Sequence, residues 1–386
     1  MIKKSFCVFV GLFLLWLALA EGGPLERLML RESLKSETVE TLKGDVSDFK
    51  VAQAPRRFDW PADHGPHPQF KTEWWYWTGN LLNEQGQPLG FQLTFFRSGI
   101  RPTDTVSNDL HTQAQWMGHL AISDISEKQF YAHQIYSREG RVGKVQLAGA
   151  NANPFQVQVA GWSVEQIASA PWTLRARARS GEQVQIDLTM QAETTPVLQG
   201  ENGLSIKSAG GKSASYYYSI PRMTTKGTIT IERRTHKVMG LSWLDREWST
   251  SALTEDQKGW DWMALHGENE DLIVFRLRNK DGSTNFAHAA TISHDGKRRA
   301  LDVSGLQVET LRRWRSPVSG SIYPVEQKWI LPKENLQLFI RARLDAQELN
   351  LDFRYWEGSI FAEWTRNSGA IKSSDAGLGY LELTGY

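Results

Sequence analysis

Cysteine is all but missing from this sequence: its 386 residues hold one, Cys7. That residue lies in an apolar stretch, residues 6–17, preceded by Lys3 and Lys4 and followed by Ala18-Leu19-Ala20. A basic start, a short apolar run and a small-x-small tripeptide read as a secretory signal peptide, residues 1–20, and the run is too short for a membrane span. Cys7 sits inside the run and not after it, so no lipid anchor is indicated. The mature chain is then expected in the periplasm with no cysteine at all, and disulfides, thiol nucleophiles and thiolate metal ligands are excluded together. Its stability must come from a large core.

Charge of one sign is lacking too. Forty-four Lys and Arg stand against 43 Asp and Glu, a formal net charge of +1. No overall field draws in nucleic acid or an anionic membrane, so no nucleic-acid partner is expected and membrane contact is not indicated. The cluster Arg312, Arg313, Arg315 is too small to alter this and reads as a solvated strand or turn. Nor is there a glycine-rich nucleotide loop, and no cofactor is implied. A Gly-x-Ser-x-Gly elbow is absent, and Ser242 and Ser249 have no histidine close in sequence, which disfavours a serine triad. The His-Glu-x-x-His pattern is missing as well. Asp63, His64 and His67 are closely spaced, but Gly65-Pro66 between the histidines reads as a turn ordering the chain as it enters the body. His119, His133 and His266 are scattered, and no metal is expected.

What the chain has in abundance is alternation. Residues 90–95, 155–159, 184–190, 227–231, 273–278, 336–338 and 349–353 switch between apolar and polar side chains at every step. Period two marks strands with one buried and one wet face. Lys280-Asp281-Gly282 and His294-Asp295-Gly296 suit tight hairpins. No strong amphipathic helix follows residue 58, so the fold class is all-β, built as sandwiches or barrels. The length suits two domains: a leader at residues 21–57, a first domain at 58–250 and a second at 251–386. The polar stretch 249–258 lacks alternation and marks the junction.

Tryptophan is the other abundance, with 16 in all. Glu73-Trp74-Trp75-Tyr76-Trp77, Trp243-Leu244-Asp245-Arg246-Glu247-Trp248 and Gly259-Trp260-Asp261-Trp262 each place acids beside aromatic rings. Aromatic faces suit an apolar or π-rich ligand and can stabilise a cation. A carboxyl group desolvated among rings has its pKa raised toward the range of a proton donor. The same residues also fit a structural role, with tryptophans filling a β core and acids paired to arginines. In Tyr216-Tyr217-Tyr218 the middle ring faces away from its neighbours, so the three cannot line one cavity.

Asp63-His64-Gly65, Thr72-Glu73-Trp74-Trp75-Tyr76, the Trp-x-Asp-x-Glu-Trp stretch ending at Trp248, Gly259-Trp260-Asp261-Trp262, Tyr355-Trp356-Glu357-Gly358 and the closing Gly379-Tyr380-Leu381-Glu382-Leu383-Thr384-Gly385-Tyr386 occur in one order. The set resembles the AttH-like and carotenoid 1,2-hydratase family, over residues 58–386. The resemblance implies two tandem lipocalin-like antiparallel β-barrel domains. It also implies relatives of different activity: some hydrate acyclic carotenoids, some guide cycloadditions, and a secreted branch, often encoded beside ABC-transporter components, is labelled as hydrolases. One position departs from the family: the residue between the Asp and the Glu, often histidine, is Arg246. Arginine cannot shuttle a proton near neutral pH, but it can clamp an anionic group or pair with Asp245 or Glu247.

Hydration of an alkene needs an acid, a wall that tolerates a carbocation, and a water. For the acid, Asp245 or Asp261 is the candidate, with Trp243, Trp248, Trp260 and Trp262 as the wall. Glu73 is a second candidate, with Tyr76 and Tyr217 as hydrogen-bond partners and Trp74 and Trp75 beside it. Two function classes stay open. One is an enzyme of hydratase or hydrolase type acting on an apolar or amphipathic molecule such as a lipid or isoprenoid. The other is a non-catalytic carrier of such a molecule, working with ABC-transporter components, in which Glu73, Asp245, Glu247 and Asp261 are structural.

Overall fold

The computed structural model describes residues 48–102, 113–142, 145–167, 172–208, 213–250, 253–254, 256–368 and 371–386. The expected signal peptide, residues 1–20, and the leader up to residue 47 lie outside the described residues. Among the described residues the chain is all-β, with only the 3₁₀ turns Ala62–His64 and Pro332–Glu334 interrupting it. Residues Val46–Tyr386 form one compact unit.

Two sheets build that unit. The first has 14 strands and is antiparallel along its main path. Its middle runs in the order Ala114–Asp124, Pro88–Gly99, Thr72–Asn83, Arg234–Ser249, Ala214–Ile231 and Val184–Ala192. At its ends, Gln129–Arg138 touches Val145–Ala152 and Phe155–Val159 without a hydrogen-bonded ladder, so this sheet curls into a nearly closed barrel. The second sheet has 10 strands, with Gln257–Gly267, Ile371–Thr384 and Tyr355–Ser368 adjacent at its centre. The turns are as their sequences demand. Asn279 N–H donates to Ser283 O at 2.9 Å, and Gly282 takes the positive φ of 85° that closes this hairpin.

One expected strand fails. Of residues 349–353 only Leu349 pairs, in the two-residue strand Glu348–Leu349 against Tyr355–Ser368, and the chain then bends. Leu349 is buried while Phe353 is 41% exposed, so the alternating apolar residues do not share one covered face. The basic cluster Arg312, Arg313 and Arg315 lies exposed on the strand Gln307–Arg315.

Period two gives each central strand two loads. Trp75, Trp77 and Leu81 point into the first barrel, with Trp248 and Tyr218. Met263, Leu265, Trp356 and Leu381 point into the second sheet's own core. Residues of the opposite parity on both sheets meet in a third core. It holds Tyr76, Tyr217 and Trp243 from the first sheet, and Trp262, Ile273, Phe275 and Tyr380 from the second. This seam is where the two sheets pack on each other, and much of its lining is polar.

Candidate functional site

The seam is built on antiparallel neighbours in register. Tyr76 lies opposite Asp245, and Ser219 lies opposite Asp245 on the other side. Cross-strand partners share a face, so these side chains converge. From the second sheet, Glu382 lies opposite Trp262 and also opposite Glu357. Four acids therefore come to one layer: Asp245, Glu247, Glu357 and Glu382.

Asp245 is 3% exposed and surrounded by donors. Ser219 donates to Oδ1 at 2.5 Å, Trp243 Nε1–H to Oδ1 at 2.6 Å, and the Tyr217 hydroxyl to Oδ2. No cation pairs with it among the described residues. Burial pushes its pKa up to about 7; the three hydrogen bonds oppose the rise, and the charge of Glu247 adds to it. Glu382 keeps part of its side chain accessible and is also raised to about 7, by burial first and then by Asp245 and Glu247, against a hydrogen bond from Trp260. Glu357 is raised well above the usual carboxyl range by burial and by the nearness of Glu382. It accepts a hydrogen bond of 2.5 Å from the Tyr76 hydroxyl across the seam. Two carboxyl groups facing each other in low dielectric cannot both ionise cheaply, so the Glu357–Glu382 pair holds a proton near neutral pH.

Aromatic groups enclose this layer. Trp262 stands edge-on to Tyr76 with ring centroids 5.2 Å apart, and its Nε1–H donates to the Tyr217 hydroxyl at 3.2 Å. Trp74 and Trp260 are only partly buried and pack at the margin of the same cluster. The Tyr355 hydroxyl meets His119 Nδ1 at 2.8 Å, and burial lowers His119 to about 3, so its ring is neutral. Glu247 is ion-paired with Lys207 at 2.9 Å and accepts from Ser215.

The remaining candidates lie elsewhere, and strand parity is the reason. Glu73, Trp75, Arg246 and Trp248 are on the inner face of the first barrel. There Glu73 meets Arg246 at 2.5 Å and Arg97 at 3.4 Å. Burial would raise the Glu73 pKa, but Arg246, His67 and Arg97 outweigh it and hold it at about 2. The Arg246 guanidinium lies 3.9 Å from the Trp75 ring centroid, and His67 stacks on Trp248 at 3.8 Å. Asp261 points into the second sheet's core, where Arg276 at 2.7 Å, Arg278 at 2.9 Å and the Tyr386 hydroxyl at 2.8 Å saturate it. Arg246 thus pairs with Glu73, and not with Asp245 or Glu247. Asp261 is separated by parity from its neighbours Trp260 and Trp262.

Glu357, Glu382, Tyr355 and His119 were not among the site residues expected from the sequence, although the first three stand in the motifs that carry the family resemblance and His119 was weighed only as a metal ligand. Glu357 and Glu382 occupy motifs of the closing segment, and their signal is an acid at the polar phase of an otherwise apolar strand. His64 and His67 serve the first barrel: the His64 ring meets the Tyr218 hydroxyl, and His67 bridges Asp63 at 3.1 Å and Glu73 at 3.4 Å.

Comparison with known proteins gives a consistent family. The AttH-like family model matches residues 51–386. The crystal structure of a protein described as an AttH from Nitrosomonas europaea superposes with a TM-score of 0.74 at 31% identity, covering 86% of this chain and 99% of that one. The dehydratase asqC of Emericella nidulans is 30% identical over 235 residues, 58% of this chain and 65% of that protein. Kievitone hydratase of Fusarium solani subsp. phaseoli is 23% identical over 208 residues, 52% of this chain and 57% of that protein. The match thus spans less than two thirds of either curated relative.

Proposed function

This chain belongs to the AttH-like family, and we propose that it adds water to, or removes it from, a carbon–carbon double bond in an apolar or amphipathic molecule held at the seam. One observation carries the reading: Asp245, Glu357 and Glu382, far apart in sequence, meet among aromatic rings with no cation paired to them among the described residues and with their pKa values raised. Two relatives named as a hydratase and a dehydratase support the direction of the chemistry.

In hydration, the carboxyl proton of Asp245 passes to one alkene carbon, whose new C–H bond takes the π electrons. The other carbon becomes a cation, faced by Trp262 and Tyr76. Such faces stabilise a desolvated cation by about 2 kcal/mol or more. A water oxygen then bonds to the cation, and its spare proton goes to the carboxylate of the Glu357–Glu382 pair. Dehydration runs the same steps backward. Ser219, Tyr217 and Trp243 hold the Asp245 carboxyl in place, and Tyr76 holds Glu357. Glu73 and Asp261 are already neutralised by arginines and serve the fold.

The test uses a panel of branched isoprenoid alkenes and their tertiary alcohols, incubated with the protein in oxygen-18 water. Label is expected in the product of at least one alkene. Asp245→Asn should lower the rate by about 100-fold or more while ligand binding persists. Because the donor must be protonated, the rate should fall as pH rises through about 7. Undiminished turnover in both Asp245→Asn and Glu382→Gln would refute the assignment. A bound molecule recovered chemically unaltered from the wild type and both variants would instead make the protein a carrier, the role that ABC-transporter partners would suit.

A further inference from the structure

The seam has a basic end that the chemistry above does not use. The strand Arg298–Ala300 pairs with Thr284–Ser293, and Arg298 lies opposite Ile292. Ile292 belongs to the seam core, so Arg298 faces the seam as well. Its side chain is half-buried, and its Nε is buried with no hydrogen-bond partner. Among the described residues it makes no ion pair. A guanidinium stays charged at any ordinary pH, and a desolvated charge without a counter-charge is costly. Arg222 meets Asp271 at 2.6 Å, and Arg276 and Arg278 meet Asp261; Arg343, which has no ion pair among the described residues, spends its donors on Asn80 Oδ1 and Ser359 Oγ at 3.4 Å. Arg298 is left as a donor awaiting an anion.

Its surroundings extend the pattern. His288, on the same face, is half-buried; desolvation lowers its pKa to about 3, so its ring is neutral, and both Arg298 and Lys207 stand near enough to depress it further. His288 Nε2 reaches Gln199 Oε1 at 3.4 Å. Aromatic rings join this end to the acid layer. Phe275 lies 6.5 Å from Tyr217, which hydrogen-bonds Asp245, and 5.2 Å from His288. Phe286 is 6.1 Å from Phe275 and only partly buried. Protonated acids thus stand at one end of an aromatic run, and an unpaired cation at the other.

We infer that the seam takes a molecule with an oxyanion head group, a carboxylate or a phosphate ester, bound at Arg298 and His288 with its apolar body along Phe275 toward Asp245. This rests on the seam being the ligand site, and it names the class of molecule that site takes. A planar guanidinium binds either head group through paired N–H donors. It also supplies the anion clamp that Arg246, committed to Glu73, does not.

Three probes of one chain length test it: dodecanol, dodecanoate and dodecyl phosphate, titrated by calorimetry above the head groups' pKa values. The wild type should bind at least one anion about tenfold more tightly than the alcohol. Arg298→Gln should bring both anions down to the alcohol's affinity and leave dodecanol unchanged. Arg298→Lys, which keeps the charge and loses the fork, should fall between and guards against a misfolded glutamine variant. The stronger of the two anions identifies the head group. Equal affinity for alcohol and anions in the wild type, or an anion preference that survives in Arg298→Gln, would overturn the inference. So would failure of all three probes to bind. Label incorporation from oxygen-18 water is read separately, so loss of the anion preference with intact turnover removes only the head-group assignment, and the reverse result removes only the water chemistry.

Discussion

A carboxylate's fate in this protein is decided by which charges share its burial. Glu73 and Asp245 are both nearly fully buried, 1% and 3% exposed. Glu73 has Arg246 and Arg97 against it and is held at about 2; Asp245 has only neutral donors and is raised to about 7. The first is an ion-pair member that would serve poorly as a proton donor. Glu73→Gln should leave Arg246 and Arg97 buried without a counter-ion, and we expect a loss of about 3–5 kcal/mol in denaturant unfolding. A cost below about 1 kcal/mol would mean that water reaches the pair. The wild type should also show an acid limb that the variant lacks. The folded pKa of Glu73 lies below its unfolded value of 4.5, so its contribution is present above that value and is lost as pH falls toward about 2.

At the scale of the strand, one residue of offset separates structure from chemistry. Asp261 and Trp262 are neighbours on Gln257–Gly267, yet Asp261 saturates Arg276 and Arg278 in one core while Trp262 joins Tyr76 and Tyr217 in the other. Asp261→Asn is therefore expected to cost stability, by about 3–5 kcal/mol as a broken buried pair. In whatever fraction stays folded, it should leave oxygen-18 incorporation within a few-fold of wild type. A folded Asp261→Asn protein without turnover would move the acid to this position. The same parity explains what was legible in the sequence. The strands and hairpins are local patterns and could be read, as could the opposed facing of Tyr217 and Tyr218. Trp243 with Asp245, two residues apart, is likewise a local pair. What could not be read is which acid meets an arginine, because Arg97 and Glu73 or Arg276 and Asp261 are joined only by strand pairing. Glu357 and Glu382 are hidden for the same reason: each is one acid in a strand, and their pairing depends on register. Residues 349–353 alternate like a strand, but only Leu349 joins a strand ladder.

For the whole molecule the seam makes the two sheets answer to pH together. Asn80 Nδ2 donates to Gly379 O at 3.0 Å and His266 Nε2 meets Pro221 O at 2.6 Å, each joining one sheet to the other, and Ser123 of the first sheet donates at 2.6 Å to Gln347, which immediately precedes Glu348–Leu349. Two opposed titrations sit in and around this layer. His119 and His288 are lowered from 6.5 to about 3, so the unfolded chain binds more protons between those values and stability falls as pH drops through that window. Asp245 and Glu382 are raised from 3.8 and 4.5 to about 7, so the folded chain binds more protons there and stability falls as pH climbs through that window. The two slopes oppose each other between about pH 4.5 and 6.5 and flatten the wild-type curve. An Asp245→Asn, Glu382→Gln double variant keeps the histidines and loses the acids' contribution. Its melting temperature should therefore drop more steeply than that of the wild type on acidification below pH 6.5, while relative to wild type it gains most above pH 7, where the wild-type acids are ionised inside the seam. Parallel melting curves across this range would mean that the two acids titrate alike in the folded and unfolded chain, and the seam would then hold no stored proton with which to begin the reaction.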